Sequence, residues 1–161
     1  MPTSTPLILG EFRRSLDERF RLSLPAEMLE PLSASGADCI LTKESPGAIS
    51  LWNSAQWQSH LDSGMELVQR KIQTGRLNTQ IEDVQRLGRL LSTRHRTVQI
   101  AGKGRVLVPE GFREFLGVEP GGDVLLIGAA ICVEIWRPDA WLEYLKEDIP
   151  QFRKLFDNLS G

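Results

Sequence analysis

Apolar and polar residues alternate over residues 7–13 and again over 97–100, the period of a strand with one buried face. Each run leads into a tight turn, Asp17-Glu18-Arg19-Phe20 in the first and Ala101-Gly102-Lys103-Gly104 in the second. A second alternating strand follows each turn, over 21–24 and 105–108, and stops at Pro25 or Pro109. Proline suits a first helical turn, so short helices are expected over 26–32 and 110–116. The glycine-rich stretch Gly117 to Gly122 ends the second of these and turns the chain. Further strands are expected over 39–42, 49–52, 124–127 and 131–136, with helices starting at 53–54 and 138–139. Between these groups, Met65, Leu67, Val68, Ile72, Ile81, Val84, Leu87, Leu90 and Leu91 recur at helical spacing, with Gly75 and Asn78 marking a break. A last short helix is expected from Ile149, Phe152, Leu155 and Phe156.

The pattern repeats itself. At an offset of 84 residues Arg21 falls on Arg105, Pro25 on Pro109, Glu30 on Glu114, Leu32 on Leu116 and Leu41 on Leu125. Trp52 meets Trp136, Trp57 meets Trp141 and Leu61 meets Leu145 at the same offset. Tryptophan is rare, so two coincidences at one spacing point to a tandem duplication rather than chance. The expected fold is α+β, with a first module over 8–61, a helical linker over 62–95, a second module over 96–145 and a helical tail over 146–161. Copies of about fifty residues sit near the lower limit of independent stability and are expected to share one core.

Composition narrows the class. The chain has 161 residues, 41% of them hydrophobic, enough for a packed core, and a net charge of -2 that excludes a broadly basic nucleic-acid coat. Its longest apolar runs fall short of a membrane span, and its first residues lack the pattern of a secretion signal. Cys39 and Cys132 lie in apolar runs, which suits buried thiols in a reducing cytoplasm. The net value conceals segregation: residues 86–105 carry +6, whereas 110–161 carry -5. Arginine supplies most of the cations, and its forked guanidinium suits phosphate oxygens and guanine edges. A solvated helix face with ordinary ion pairs is the plainer reading of the same charges.

Catalytic chemistry is thin. His60 and His95 lack metal-ligand spacing, and no nucleophile motif surrounds the serines or cysteines. Gly102-Lys103-Gly104 lacks the remaining glycine and the hydroxyl residue of a phosphate loop, and a turn explains it better. The paired tryptophans read as core anchors. The chain is therefore read as a non-enzyme without cofactor, metal or small-molecule substrate.

The stretch Ser15-Leu16-Asp17-Glu18-Arg19-Phe20-Arg21-Leu22-Ser23-Leu24-Pro25 resembles the first signature of the bacterial MraZ family, and residues 96–109, ending Gly104-Arg105-Val106-Leu107-Val108-Pro109, resemble the second. The resemblance covers about residues 8–145 and implies two AbrB-like modules in tandem, forming a small β-barrel of swapped hairpins with double-split β-α-β topology. It further implies a regulator of the cell-division and cell-wall gene cluster, binding double-stranded DNA at promoter repeats as a ring-like homo-oligomer associated with the nucleoid. The family's Asp-x-x-x-Arg pattern is present as Asp17 and Arg21, whereas Ala101 stands in the aspartate position before Arg105. The glycine usual before the arginine is Gly104 in the second half but Phe20 in the first, where its side chain is expected to disfavour a positive φ. The DNA-contacting set expected from these readings is Arg13, Arg19, Arg21, Arg96, Lys103 and Arg105, with Asp17 orienting rather than touching DNA. The alternatives are an internal salt bridge for Asp17–Arg21 and, for the whole chain, a protein-protein scaffold or antitoxin-like module that has lost DNA binding.

Overall fold

The computed structural model describes residues 7–34 and 36–161, without the side chain of His60. Strands β1 (Glu11–Ser15), β3 (Asp38–Ser45), β4 (Ala48–Asn53), β5 (His95–Gln99), β7 (Asp123–Gly128) and β8 (Val133–Trp136) form one antiparallel sheet in the order β1-β7-β8-β4-β3-β5. The short strands β2 (Arg21–Ser23) and β6 (Arg105–Leu107) pair only with each other, as a separate antiparallel ribbon. Strands β3 and β4, and β7 and β8, pair as hairpins, whereas β1 pairs with β7 and β5 pairs with β3, far along the chain.

Helices α1 (Ala26–Leu32) and α4 (Phe112–Leu116) follow the ribbon strands, and Met28, Leu32, Phe112 and Leu116 are buried. Together with Leu22, Leu24, Val106 and Val108 they close the main core over Leu41, Ile49, Leu51, Val124, Leu126, Val133 and Ile135 of the sheet. The opposite face of the sheet carries a smaller cluster of Ala48, Leu125 and Trp136, covered by Ala140 and Trp141 of α5 (Pro138–Asp148). Helix α2 (Ser54–Gln73) starts where expected, because Asn53 Oδ1 accepts the backbone N–H groups of Ala55 and Gln56 at 3.0 and 3.2 Å. A break with a single 3₁₀ turn at Asn78–Gln80 separates α2 from α3 (Ile81–Thr93), and α6 (Phe152–Ser160) ends the chain.

Several boundaries differ from the pattern reading for physical reasons. Gly10, at φ 125°, turns the chain between Leu9 and β1, so Leu7 and Leu9 stay exposed and the strand begins at Glu11. Gly111, at φ 90°, delays α4 to Phe112, and the Glu114 carboxylate accepts the Gly111 N–H at 2.6 Å. Of the four tryptophans only Trp136 is buried; Trp52, Trp57 and Trp141 are half-buried, with Trp57 against the His95 ring at 4.4 Å.

At the centre of the sheet Ser50 stands opposite Glu134 in the β4–β8 pairing. Trp52 Nε1 donates to Ser50 Oγ and Trp136 Nε1 donates to the Glu134 carboxylate at 3.0 Å. Burial pushes the Glu134 carboxyl above the ordinary carboxylate range, the Trp136 bond opposes this, and the Glu44 charge adds to it. A carboxyl whose pKa is raised on folding favours the fold when protonated, and that advantage is lost as pH rises through the folded pKa. Glu134→Gln keeps an acceptor for Trp136 without a desolvated charge. Thermal unfolding is expected to show the variant melting above wild type at pH 7, with the gap narrowing as pH falls toward 5.

Candidate nucleic-acid interface

The ribbon places side chains by strand alternation. Leu22 and Val106 point into the core at 2% and 0% exposure, so Arg21, Ser23, Arg105 and Leu107 share the outward face. The register sets Arg21 opposite Leu107 and Ser23 opposite Arg105, which leaves the two arginines on a diagonal about 7–8 Å apart at the backbone. The ladder runs one step further at each end: Val108 N–H donates to Phe20 O at 2.8 Å and Leu24 N–H donates to Gly104 O at 2.9 Å. Because the strands are antiparallel, the turn bearing Arg19 lies at one end and the turn bearing Lys103 at the other.

The first turn is built on Asp17. Its Oδ1 accepts the backbone N–H groups of Arg19 at 2.8 Å and Arg21 at 2.9 Å, while Oδ2 takes Arg21 Nε at 3.0 Å. The carboxylate therefore closes the turn and holds the guanidinium at once. The Arg21 backbone N–H is the foremost cause of an Asp17 pKa below the ordinary carboxylate value; desolvation opposes it, and the Arg19 N–H and Arg21 side chain reinforce it.

The second turn manages without a carboxylate. Ala101 N–H donates to Arg105 O at 2.8 Å and Gly104 N–H to Ala101 O at 3.1 Å, with Lys103 and Gly104 at φ 66° and 69°. Among the described residues no acid pairs with Arg105.

Phe20 corrects the expectation made for it. It takes φ 60°, almost the value of Gly104, despite its side chain. The Arg113 guanidinium carbon lies 4.1 Å from the centre of the Phe20 ring, and Arg113 Nε donates to Val108 O at 2.7 Å. Packing of the ring against the core and under this guanidinium offsets the left-handed backbone. At Gly104 an added Cβ would meet Leu29 Cδ2 at 3.1 Å, so the space is already taken. Leu29 and Arg113 are themselves 84 residues apart, as are Phe20 and Gly104, which was the available signal for Arg113 in this role.

The other expected cations are spread out. Arg13 lies on the edge strand β1 and pairs with Asp123 at 2.8 Å, whereas Arg96 lies on the opposite edge strand β5. The structure thus groups Arg21 and Arg105, flanks them with Arg19 and Lys103, and holds Arg13 and Arg96 on the margins of the larger sheet. Burial pushes the thiols of Cys39 and Cys132 up to about 11 and about 12. Among the described residues no group of three or more His, Cys, Asp or Glu side chains could hold a metal, and no helix is long and apolar enough to cross a membrane.

An antiparallel sheet packed with helices, with a two-stranded ribbon bearing Arg21 and Arg105 on its main core, defines an α+β protein. A family model described as MraZ protein and antitoxin-like matches residues 93–158. The chain is 28% identical to the transcriptional regulator MraZ of Syntrophomonas wolfei over 153 residues, covering 95% of this chain and 96% of that one. It is 28% identical to the MraZ regulator of Clostridium botulinum strain Eklund 17B, covering 89% and 90% of the two chains. The regulator of Caldanaerobacter subterraneus is 25% identical, with 96% and 98% covered. The chain is thus similar to transcriptional regulators named MraZ over nearly its whole length, and to the MraZ family model over its C-terminal part.

Two stability measurements test the turn. Phe20→Ala keeps the strained φ and loses the ring, whereas Phe20→Gly loses the ring but relieves the strain. Denaturant unfolding should therefore find the glycine variant more stable than the alanine variant by about 1 kcal/mol. The depressed Asp17 pKa gives stability that is complete above the unfolded carboxyl value and lost as pH falls through the folded one. Carboxyl NMR titration should place Asp17 below the ordinary aspartate value, and Arg21→Ala, which removes the guanidinium but keeps the backbone N–H, should raise it part of the way back.

Proposed function

We propose that the chain is a sequence-specific DNA-binding regulator of the cell-division and cell-wall gene cluster, acting on promoter repeats as a ring-like homo-oligomer on the nucleoid in the cytoplasm. It is built, on this reading, from two AbrB-like modules over 8–61 and 96–145, a linker over 62–95 and a tail over 146–161. The swapped pairings support that division: β1 and β5, like β2 and β6, have bounds 84 residues apart, and each outer strand pairs with the other half.

The observation that carries the reading is the outward face of the β2–β6 ribbon, where Arg21 and Arg105 stand on one surface. A two-stranded ribbon fits the major groove of B-form DNA, and a guanidinium there can donate two hydrogen bonds to a guanine edge. Arg19 and Lys103 would neutralise phosphates at the ribbon ends, with Arg13 and Arg96 further out. Asp17 holds Arg21 by Nε alone, leaving both Nη groups for a base. A single ribbon makes few contacts, so several joined in one assembly would supply affinity where repeat spacing matches subunit spacing.

A second reading, an antitoxin-like or scaffolding module without DNA binding, is favoured by the exposed apolar side chains of the C-terminal region. Ile149, Phe152, Leu155, Phe156 and Leu159 are each more than half exposed. Gel-shift titration on DNA from upstream of the chain's own gene separates the two. Wild type should bind, more weakly at higher salt, and Arg21→Ala and Arg105→Ala should each lower affinity about tenfold or more. Failure of wild type to bind at low salt would leave the scaffold reading.

A further inference from the structure

Leu107 occupies an unusual place for an exposed leucine. The residue is 46% exposed on the outward face of the ribbon, directly opposite Arg21, while its strand neighbour Val106 is fully buried. Burial of Leu107 adds little to the core, and the residue 84 positions earlier on the same face is Ser23. The outward face is therefore asymmetric: an arginine beside a leucine at one end, an arginine beside a serine at the other.

We propose that Leu107 is a specificity-determining residue that reads the 5-methyl group of thymine beside the base contacted by Arg21; this rests on the DNA-binding reading above. Side chains directly opposite in an antiparallel pair have Cβ atoms about 4.5–5.5 Å apart. A base pair stacks about 3.4 Å from the next. With Arg21 on a guanine edge, Leu107 thus comes over the neighbouring base pair. Leucine offers no donor or acceptor, and in the major groove thymine presents a methyl group that such a side chain can cover. Ser23, beside Arg105, carries a hydroxyl that can bond to any base edge and selects weakly. One end of the ribbon then prefers a thymine next to its guanine and the other end tolerates more, so the recognised element is asymmetric although the backbone is nearly two-fold.

The test uses one DNA segment, the region upstream of the chain's own gene, amplified with either thymidine or deoxyuridine triphosphate. Uracil pairs as thymine does but lacks the methyl group. Wild type should bind the uracil duplex about fourfold more weakly for each methyl covered, and Leu107→Ser should bind both duplexes equally. Leu107→Thr, which keeps a methyl and suits a strand, should retain part of the difference. Ser23→Leu should enlarge it. Equal binding of both duplexes by wild type, or an undiminished preference in Leu107→Ser, overturns the assignment. Wild type binding neither duplex at low salt overturns the DNA-binding reading instead.

Discussion

The pairing of strands from the first part of the chain with strands from the second is the constraint on which the rest depends. Strand β2 has three residues, and its ladder partner β6 begins 84 positions after it. A ribbon so short is not stable alone in water. It persists because Leu22, Leu24, Val106 and Val108 sit on the sheet core between α1 and α4. The sheet in turn needs both halves, since β1 covers the edge of β7 and β5 covers the edge of β3. Removing either half would leave the other with unpaired edges and an uncovered face. The spacing of Arg21 and Arg105 is consequently set by ladder register, which is rigid, and not by a loop.

Much of this was legible because strand alternation and the 84-residue offset agree: β1 and β5, β2 and β6, and the starts of α2 and α5 keep that spacing in the structure. The middle of each half does not. Leu41 pairs with Leu51 and Leu126 pairs with Ile135, so Leu126, not Leu125, occupies the position equivalent to Leu41. The loop before β7 is one residue longer than the loop before β3, which shifts the register of β7. A bulge at Glu44 in β3 then restores it before β4 and β8. Two compensating changes of one residue leave the average offset intact, and the Leu41–Leu125 identity crosses them by coincidence. Alternation cannot reveal a bulge whose extra residue is matched elsewhere.

The candidate cations are visible in the sequence, but their grouping is not. Arginines at 13, 21, 96 and 105 look alike in sequence, yet only pairing shows that two share a ribbon face and two sit on opposite edges. The turns show a related limit. Read alone, Phe20 looks incompatible with the backbone that Gly104 adopts. Read with Leu29 and Arg113, it is one half of a double exchange: a ring under a guanidinium in one turn, and a leucine in the space of a missing side chain in the other. The first turn also has Asp17 to satisfy two backbone N–H groups, whereas the second relies on two residues of positive φ. Different chemistry reaches the same ladder geometry, so loss of the second aspartate does not remove Arg105 from the ribbon.

The same layering decides what the net charge means. The ribbon lies on the main-core face of the sheet, while α5, which carries Asp139, Glu143, Glu147 and Asp148, covers the other face. Packed layers stand about 10 Å apart, so α5 and the ribbon are separated by more than one such spacing. The Debye length at physiological salt is about 8 Å. The α5 acids are thus screened from the ribbon cations, and a net charge of -2 does not describe the field at Arg21 and Arg105. Among the acids of the described residues, Asp17 alone is held against a ribbon arginine, through the Arg21 Nε. A chain that is acidic in sum can in this way present a basic face, because the sheet stands between the arginine-bearing ribbon and the acidic helix α5.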